Sequence, residues 1–310
     1  MKIWNGATSF PENAGRVVAT IGNYDGVHRG HQVILARVVD QARRQHARAL
    51  LVSFEPHPLE IVAPERRPRL LQTRRQKLKT LEPTGLTDVI LVRFTLQIAA
   101  LDGEQFFEHA LGPIRFASLH VGENFRFGRG RQGNFNSLRE IGNRRGFDVH
   151  GHDALRVDDE PVSSTAIRTA LEHGDVERAH RMLGRAFEVT GEVVAGTGRG
   201  RRLDCPTANV EHDNEVVPRP GVYITETVAL ASRFPSVTNV GVRPTFDGRE
   251  LTVETHLLGF EGDLYHERVS VRFLARLRDE MRFDGASSLA DQIARDLAAA
   301  ESFFQNRRLA

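Results

Sequence analysis

Residues 22–31 read Gly22-Asn23-Tyr24-Asp25-Gly26-Val27-His28-Arg29-Gly30-His31. They follow an apolar run, residues 17–21, that reads as a buried strand, and they precede a helical pattern over about 32–45. Two histidines three residues apart therefore stand at the start of a helix, beside three glycines. Such a place holds phosphate. Backbone N–H groups and the helix dipole attract anions, and glycine lets the backbone come close. Imidazoles there donate hydrogen bonds to a phosphoryl group as charge develops on it. The pair alone also fits an ordinary helix start or half of a metal site, but no Cys or His cluster follows at ligand spacing.

Further stretches carry polar groups at the ends of apolar runs. Phe54-Glu55-Pro56-His57-Pro58 reads as a turn, and Val121-Gly122-Glu123-Asn124-Phe125-Arg126-Phe127-Gly128 ends another strand. Pro161-Val162-Ser163-Ser164-Thr165-Ala166-Ile167-Arg168 opens a helix, where hydroxyls cap the helix or bind phosphate and a guanidinium forks onto phosphate oxygens. Gly128-Arg129-Gly130-Arg131-Gln132-Gly133 spells G-x-G-x-x-G, but it stands after the fourth strand and not at the first βα turn. With Arg126, Arg129 and Arg131 it reads as a basic substrate loop instead of a dinucleotide fingerprint.

Later in the chain, Gly191-Glu192-Val193-Val194-Ala195-Gly196-Thr197-Gly198-Arg199-Gly200-Arg201 fits a glycine-rich hairpin or a loop that wraps phosphates with N–H groups. No Gly-Lys-Ser/Thr follows, so it is not a Walker loop. Leu203-Asp204-Cys205-Pro206-Thr207-Ala208-Asn209 comes next, then Asn239-Val240-Gly241-Val242-Arg243-Pro244-Thr245, Val253-Glu254-Thr255-His256 and Leu277-Arg278-Asp279-Glu280-Met281-Arg282-Phe283.

The elements that must position these residues fall into two rhythms. Apolar runs at 17–21, 49–54, 88–92, 118–121 and 147–150 alternate with helical patterns, including 104–111 and 135–145. That rhythm predicts an α/β, Rossmann-like parallel sheet covered by helices, with ligands beyond the carboxyl ends of its strands. Short helices at 164–172 and 175–183 close this half. From Phe187 onward short strands dominate, at 187–194, 221–228, 236–242, 251–258 and 268–274. They predict an antiparallel barrel or sandwich. A final helix at about 287–304 places Leu289, Ile293, Leu297 and Phe304 on one face, to pack against it. The boundary is expected near Gly184, giving domains 1–184 and 185–310.

Composition sets the outer limits. The chain has 310 residues, enough for two cores, with 40% hydrophobic and 26% charged residues, as in soluble globular proteins. Its net charge is +2 and its pI about 9.0, a mild excess that suits anionic nucleotides as well as nucleic acid. No apolar run reaches the roughly 18 residues of a membrane span, and residues 1–6 lack a signal-peptide core. Cys205 is the single cysteine, so no intramolecular disulfide forms, as expected in a cytoplasmic location.

Residues 22–31 resemble the GxFDGxHxGH signature of flavin-adenylylating nucleotidyltransferases, with Tyr24 where Phe is usual. The motifs of both halves together resemble the prokaryotic bifunctional riboflavin kinase/FAD synthetases, over most of 15–183 and about 185–304. The resemblance implies ATP-dependent conversion of riboflavin to FMN, then of FMN to FAD with release of pyrophosphate. It implies that His28 and His31 stabilise adenylyl transfer, with Gly22, Asn23, Asp25, Gly26, Ser164, Thr165 and Arg168 around the nucleotide and Asn124 and Phe125 near nucleotide or flavin. In the kinase half it implies a phosphate loop through Gly196, Gly198, Gly200 and Arg201. Thr207 would ligate Mg²⁺ beside Asn209, Glu254 would be the general base, and Arg278, Glu280 and Phe283 would lie near the flavin. The implied partners are riboflavin, FMN and ATP, without nucleic acid or membrane, in a monomer or weak homo-oligomer.

Departures from the pattern are Ala166 for a frequent Arg, Asp204 and Cys205 for Gly and an aromatic residue, Gly259 for Asp, and His266 for Gly. They leave two other readings open. One is an FMN adenylyltransferase whose kinase half is inactive or specialised. The other is a non-catalytic flavin- or nucleic-acid-binding regulator, allowed by the pI and by the Arg-rich segment 66–75.

Overall fold

The computed structural model describes residues 1–112, 114–196, 205–245 and 248–309, without the side chains of 244–250, 286, 308 and 309. Contacts divide the chain into two compact units, Met1–Ser163 and Ser164–Ala310.

The first unit is a six-stranded parallel sheet with helices between its strands. β1 (Lys2–Asn5), β2 (Arg16–Ile21), β3 (Arg48–Glu55), β4 (Asp88–Arg93), β5 (Arg115–Gly122) and β6 (Asp148–His152) lie in the order β1-β4-β3-β2-β5-β6. The helices are α1 (Arg29–Arg44), α2 (Pro58–Val62), α3 (Arg74–Leu81), α4 (Leu96–Ala100), α5 (Gly103–Gln105) and α6 (Phe135–Arg145). A two-stranded hairpin, β7 (Arg156–Val157) with β8 (Glu160–Pro161), ends the unit.

The pleat divides β2 between two cores. Val17, Ala19 and Ile21 face one core, with Phe106, Phe107, Phe127, Leu138 and Phe147. Val18 faces the other, with Leu35, Val38, Val39 and Ala42 from one stripe of α1. The chain runs outward from β2 through β3 to β4 on one side and through β5 to β6 on the other. The switch point of the sheet thus lies between β2 and β5, where such sheets open a crevice at their carboxyl ends.

The second unit begins with α7 (Ser164–Glu172) and α8 (Val176–Leu183). A closed antiparallel barrel follows: β9 (Phe187–Val194), β10 (Ala208–His212), β11 (Gly221–Ala229), β12 (Ser232–Thr245), β13 (Gly248–Leu257) and β14 (Arg268–Arg278), ordered β10-β13-β12-β11-β14-β9. β9 alternates buried Phe187, Val189, Gly191 and Val193 with half-buried partners. α9 (Ala286–Leu309) packs against β12 and is pinned to β14 by Asp296, which ion-pairs with Arg278 at 2.7 Å.

The structure corrects several expected elements. The first helix starts at Arg29, not near 32, because His28 itself is its N-cap. The helix expected over 104–111 is the short α5 followed by a π turn at Phe106–Ala110. That wider turn lets the adjacent Phe106 and Phe107 both enter the aromatic core, which the 100° step of an α-helix resists. β1 and β10 carry too few apolar residues to be read from periodicity. β1 is held by Trp4, whose indole N–H donates to the buried Asp88 at 2.8 Å.

Candidate active sites

In the first unit a cleft of about 250 Å³ opens at the carboxyl ends of β2, β5 and β6, at the switch point. Gly22, Tyr24, His28, Gly30 and His31 line it, facing Asn124, Phe125, His152 and Asp153. The loop between β2 and α1 is strained. Tyr24 has φ 51° and Val27 φ 39°, and Gly26 follows the same hand at 82°. A left-handed β-branched valine is an outlier, and each such residue costs on the order of 1–3 kcal/mol unless its surroundings over-determine it.

Those surroundings are specific. Asp25 is buried and accepts the Leu71 N–H at 3.0 Å. The Asn23 carbonyl accepts from the Lys77 ammonium at 2.5 Å and from the Ser53 hydroxyl at 3.2 Å, while its amide meets His57 Nε2 at 2.9 Å. Tyr24 is buried, and its hydroxyl pairs with Thr20 at 2.7 Å, so the extra oxygen relative to Phe is satisfied. Asn23, Asp25 and Gly26 are not among the residues lining the cleft. Polar side chains in this motif thus fix the loop, and Gly22 and the two histidines face the opening.

The imidazoles are ordered by stacking and capping. His31 lies between Tyr24, at 4.4 Å, and His28, at 3.6 Å between centroids. His28 Nδ1 accepts the His31 backbone N–H at 3.3 Å, so the ring proton is at Nε2. A Cβ on Gly30 would lie 3.2 Å from the His28 ring, so glycine leaves that ring its room. Burial, then unfavourable electrostatics with His28 and Lys77, holds His31 well below the usual histidine range, so it is a neutral imidazole. Its Nδ1 is buried without a hydrogen-bond partner among the described residues.

Behind the cleft, starting from the lining residue His152, runs a polar chain that the sequence reading missed. Arg37 donates to His152 Nδ1 at 2.5 Å, His152 Nε2 meets His120 Nδ1 at 2.9 Å, and His120 Nε2 meets Gln41 Oε1 at 2.7 Å. An arginine can only donate, so the chain runs one way and both rings are Nε2–H tautomers. Burial pushes His120 down to about 3, with His150, His152 and Arg37 adding to the shift. The Gly128–Gly133 stretch forms a closed turn through a Phe127–Gly133 bridge, and α6 begins just after it, with Asn134 as N-cap.

Ser164, Thr165 and Arg168 occupy the first turns of α7, in the second unit. The barrel carries a second polar arrangement. Asn209 of β10, Glu254 of β13 and Asn239 of β12 are direct register partners, which puts three side chains in one row across three strands. A Cβ on Gly196 would fall 2.1 Å from Asn209 Nδ2, so the asparagine amide lies against bare backbone. A Cβ on Gly241 would lie 3.2 Å from both Asn239 Nδ2 and Glu280 Oε1, which brings Glu280 over the same row. His256 donates from Nδ1 to the Pro206 carbonyl at 2.7 Å and so ties the segment carrying Thr207 to β13. Thr207, Asn209 and Glu254 offer hard oxygen donors, the set that suits a nucleotide-borne Mg²⁺.

Arg278, expected near the flavin, also has a structural part. Its guanidinium is engaged by both Asp296 oxygens and the Asp279 carbonyl, so it anchors α9. Phe283 is half-buried beyond β14. Cys205 is buried, which pushes its thiol up and leaves it protonated and inert. Gly259, with φ 69°, and His266, with φ 65°, both sit in left-handed backbone. Gly259 is therefore the easier residue for its position, and His266 the harder. Gly198, Gly200, Arg201 and Asp204 lie outside the described residues.

On the other face of the same strands, five buried hydroxyls close a ring inside the barrel. Thr225 bonds Ser236 at 2.8 Å, Ser236 bonds Thr227 at 2.8 Å, Thr227 bonds Thr255 at 3.1 Å, Thr255 bonds Thr238 at 2.9 Å, and Thr238 returns to Thr225 at 2.7 Å. Each hydroxyl has two partners, one to donate to and one to accept from. The ring stitches β11, β12 and β13 directly behind Asn239 and Glu254.

A family model for FAD synthetase matches residues 10–166, and one for riboflavin kinase matches residues 183–304. The chain is 39% identical to a bifunctional riboflavin kinase/FMN adenylyltransferase of Escherichia coli K12, over 93% of this chain and 92% of that one. It is 40% identical to one from Pseudomonas fluorescens, over 94% of each. A crystal structure from Streptococcus pneumoniae, described as a macrolide-efflux protein, superposes with a TM-score of 0.86 at 25% identity, covering 96% of this chain and 98% of that one. Among the described residues no helix is long and apolar enough to cross a membrane.

Proposed function

The chain belongs to the bifunctional riboflavin kinase/FMN adenylyltransferase family, and from that premise we propose how its residues divide the two reactions. It phosphorylates riboflavin to FMN with ATP and adenylylates FMN to FAD with a second ATP. Adenylyl transfer is assigned to residues 1–184 and phosphoryl transfer to 185–310, so α7 and α8 count by function with the first half.

The observation that carries the first assignment is the stacked His28–His31 pair at the start of α1, facing a cleft at the switch point of the sheet. An FMN phosphate oxygen attacks the α-phosphorus of ATP. The new P–O bond forms as the bond to the β-phosphate bridge breaks, and pyrophosphate leaves. No protein nucleophile takes part. Neutral imidazoles donate to the phosphoryl oxygens without exchanging protons, and the N-terminus of α1 adds its positive dipole. Ser164, Thr165 and Arg168 hold the nucleotide's phosphates, and Asn124 and Phe125 border the nucleotide or flavin.

In the barrel, Glu254 takes the proton of the riboflavin 5′-hydroxyl. The riboflavin 5′-oxygen then attacks the γ-phosphorus of ATP, the bond to the β–γ bridging oxygen breaks, and ADP leaves. Among the described residues the Glu254 carboxylate makes no hydrogen bond or ion pair, which supports a base kept open to substrate. Thr207 would hold Mg²⁺, with Asn209 beside the phosphates; the ion, when bound, would neutralise charge building on them. Phosphate binding is assigned to Gly196, Gly198, Gly200 and Arg201, and the flavin side to Arg278, Glu280 and Phe283. In this reading the enzyme works in the cytoplasm on small molecules alone, as a monomer or weak homo-oligomer.

Product analysis by chromatography tests the assignment. The protein is incubated with ATP and Mg²⁺, with riboflavin in one tube and FMN in another. FMN then FAD is expected in the first, and FAD in the second. FAD in the second tube alone would overturn the kinase assignment, and no product in either would overturn both.

A further inference from the structure

The loop from Gly22 to Val27 is held in its left-handed shape by groups outside the motif, and one of them is a cation that the reaction scheme above leaves without a task. Lys77 stands on α3 among Arg74, Arg75 and Lys79, which are exposed. Its own ammonium is enclosed behind the loop, 2.5 Å from the Asn23 carbonyl and 2.6 Å from the Ser53 hydroxyl. Ser53 donates to that same carbonyl at 3.2 Å. Two donors thus converge on one peptide oxygen immediately before the strained Tyr24.

We propose that Lys77 is a positioning residue for adenylyl transfer, clamping the Asn23–Tyr24 peptide and setting a positive charge behind His31. A trans peptide is planar, so holding the Asn23 carbonyl toward α3 turns the Tyr24 N–H the opposite way. The clamp also sets the ring of Tyr24, on which His31 stacks at 4.4 Å. The charge of Lys77 helps to keep His31 neutral, and a neutral imidazole is the donor that needs no partner ion. The inference rests on the adenylyltransferase reading above.

The groups facing the ammonium are Asp25 after β2, Glu55 at the end of β3 and His31 at the start of α1, with His57 linked through Asn23. On its own helix Arg74 pairs with Glu55 at 3.4 Å. Burial lowers the lysine to about 8, against Asp25 and Glu55, which raise it. The charged clamp is therefore present below that value and lost as pH rises through it.

The test is Lys77→Met in the full chain, with both activities measured on one preparation. FAD formation from FMN is expected to lose about 30-fold or more in kcat, with KM for ATP changed less than about threefold, as for lost positioning. FMN formation from riboflavin stays near wild type and reports folding. In the wild type, FAD formation falls as pH rises past about 8, and the variant lacks that limb. A variant within about threefold of the wild-type kcat overturns the proposal. If the variant loses both activities, the wild-type profile decides: a rate flat to about pH 9.5 overturns it. A wild type that makes no FAD from FMN would instead sink the adenylyltransferase reading itself.

Discussion

The cleft of the first unit is shaped by a loop under strain, whereas the polar row of the barrel is carried by strands in register. In the loop, Tyr24 and Val27 hold unfavourable backbone angles, and Asp25, Ser53 and Lys77 keep them there. In the barrel, Asn209, Glu254 and Asn239 need only the pairing of β10, β13 and β12 to stand side by side. The first design puts the groups assigned to phosphate in one contiguous stretch but depends on anchors elsewhere. The second scatters its groups along the chain but secures them through ordinary ladder hydrogen bonds and the hydroxyl ring behind them. A loop site should therefore fail through its supports, and a strand site only through its own side chains or its register.

The sharpest consequence is for Glu254. Glu254→Gln preserves shape and register but removes the proposed base, so FMN formation should fall by about 10³-fold or more while FAD formation from FMN is unchanged. A similar loss of both would mean that the barrel residue supports more than its own reaction.

Next in size is the far end of the parallel sheet, where Asp88 is buried and bound by Arg48 and Trp4. Asp88→Ala should cost about 3–5 kcal/mol, because it leaves a guanidinium and an indole N–H without their acceptor. Trp4, the single tryptophan, reports the unfolding by fluorescence. Burial alone would raise the carboxyl, but hydrogen bonds from Arg48, Trp4 and Thr87 and the charge of Arg48 outweigh it and leave it below the usual range. A depressed folded value means stability that is present above the unfolded value of about 3.9 and lost as pH falls through the folded one. The variant should lack that acid-dependent part of its stability.

Thr238→Val opens the hydroxyl ring without changing its volume. Thermal unfolding should show a loss of about 1–2 kcal/mol, since Thr225 and Thr255 each keep one partner. Kinase activity should fall more than FAD formation if the ring sets the register of Asn239 and Glu254. The smallest effect is at His266→Gly, which relieves a left-handed histidine and gives up an exposed contact to Glu192. A gain of about 0.5–1 kcal/mol is expected by chemical denaturation.

The two designs also explain what could be read before folding. Residues 22–31 are adjacent in the chain, so strand, loop, histidines and helix start are visible together. The alternating rhythm of the first half and the short strands of the second gave both fold classes. The row in the barrel was visible only as motifs, because its alignment depends on pairings between strands some 45 residues apart, Asn209 with Glu254. β10 itself reads Ala-Asn-Val-Glu-His and shows no apolar run. Lys77 sits in a basic stretch that looks like a solvated helix face, and nothing local marks it as turned inward. The same holds for His120, inside an expected strand, and His152, just past one, until β5 and β6 bring them to 2.9 Å. The anchoring of α9 by Arg278 was not legible either, because its partner, Asp296, lies on another element.

The decisive measurement is complementation between two full-length variants, His28→Ala and Glu254→Gln, followed by chromatography of products from riboflavin, ATP and Mg²⁺. Alone, the His28 variant should stop at FMN, and the Glu254 variant should leave riboflavin untouched while still making FAD from added FMN. Mixed, they should make FAD from riboflavin, with FMN passing through solution. If either variant loses both reactions while remaining folded, or if the mixture makes no FAD, then two separate sites on one chain is the wrong description of this enzyme.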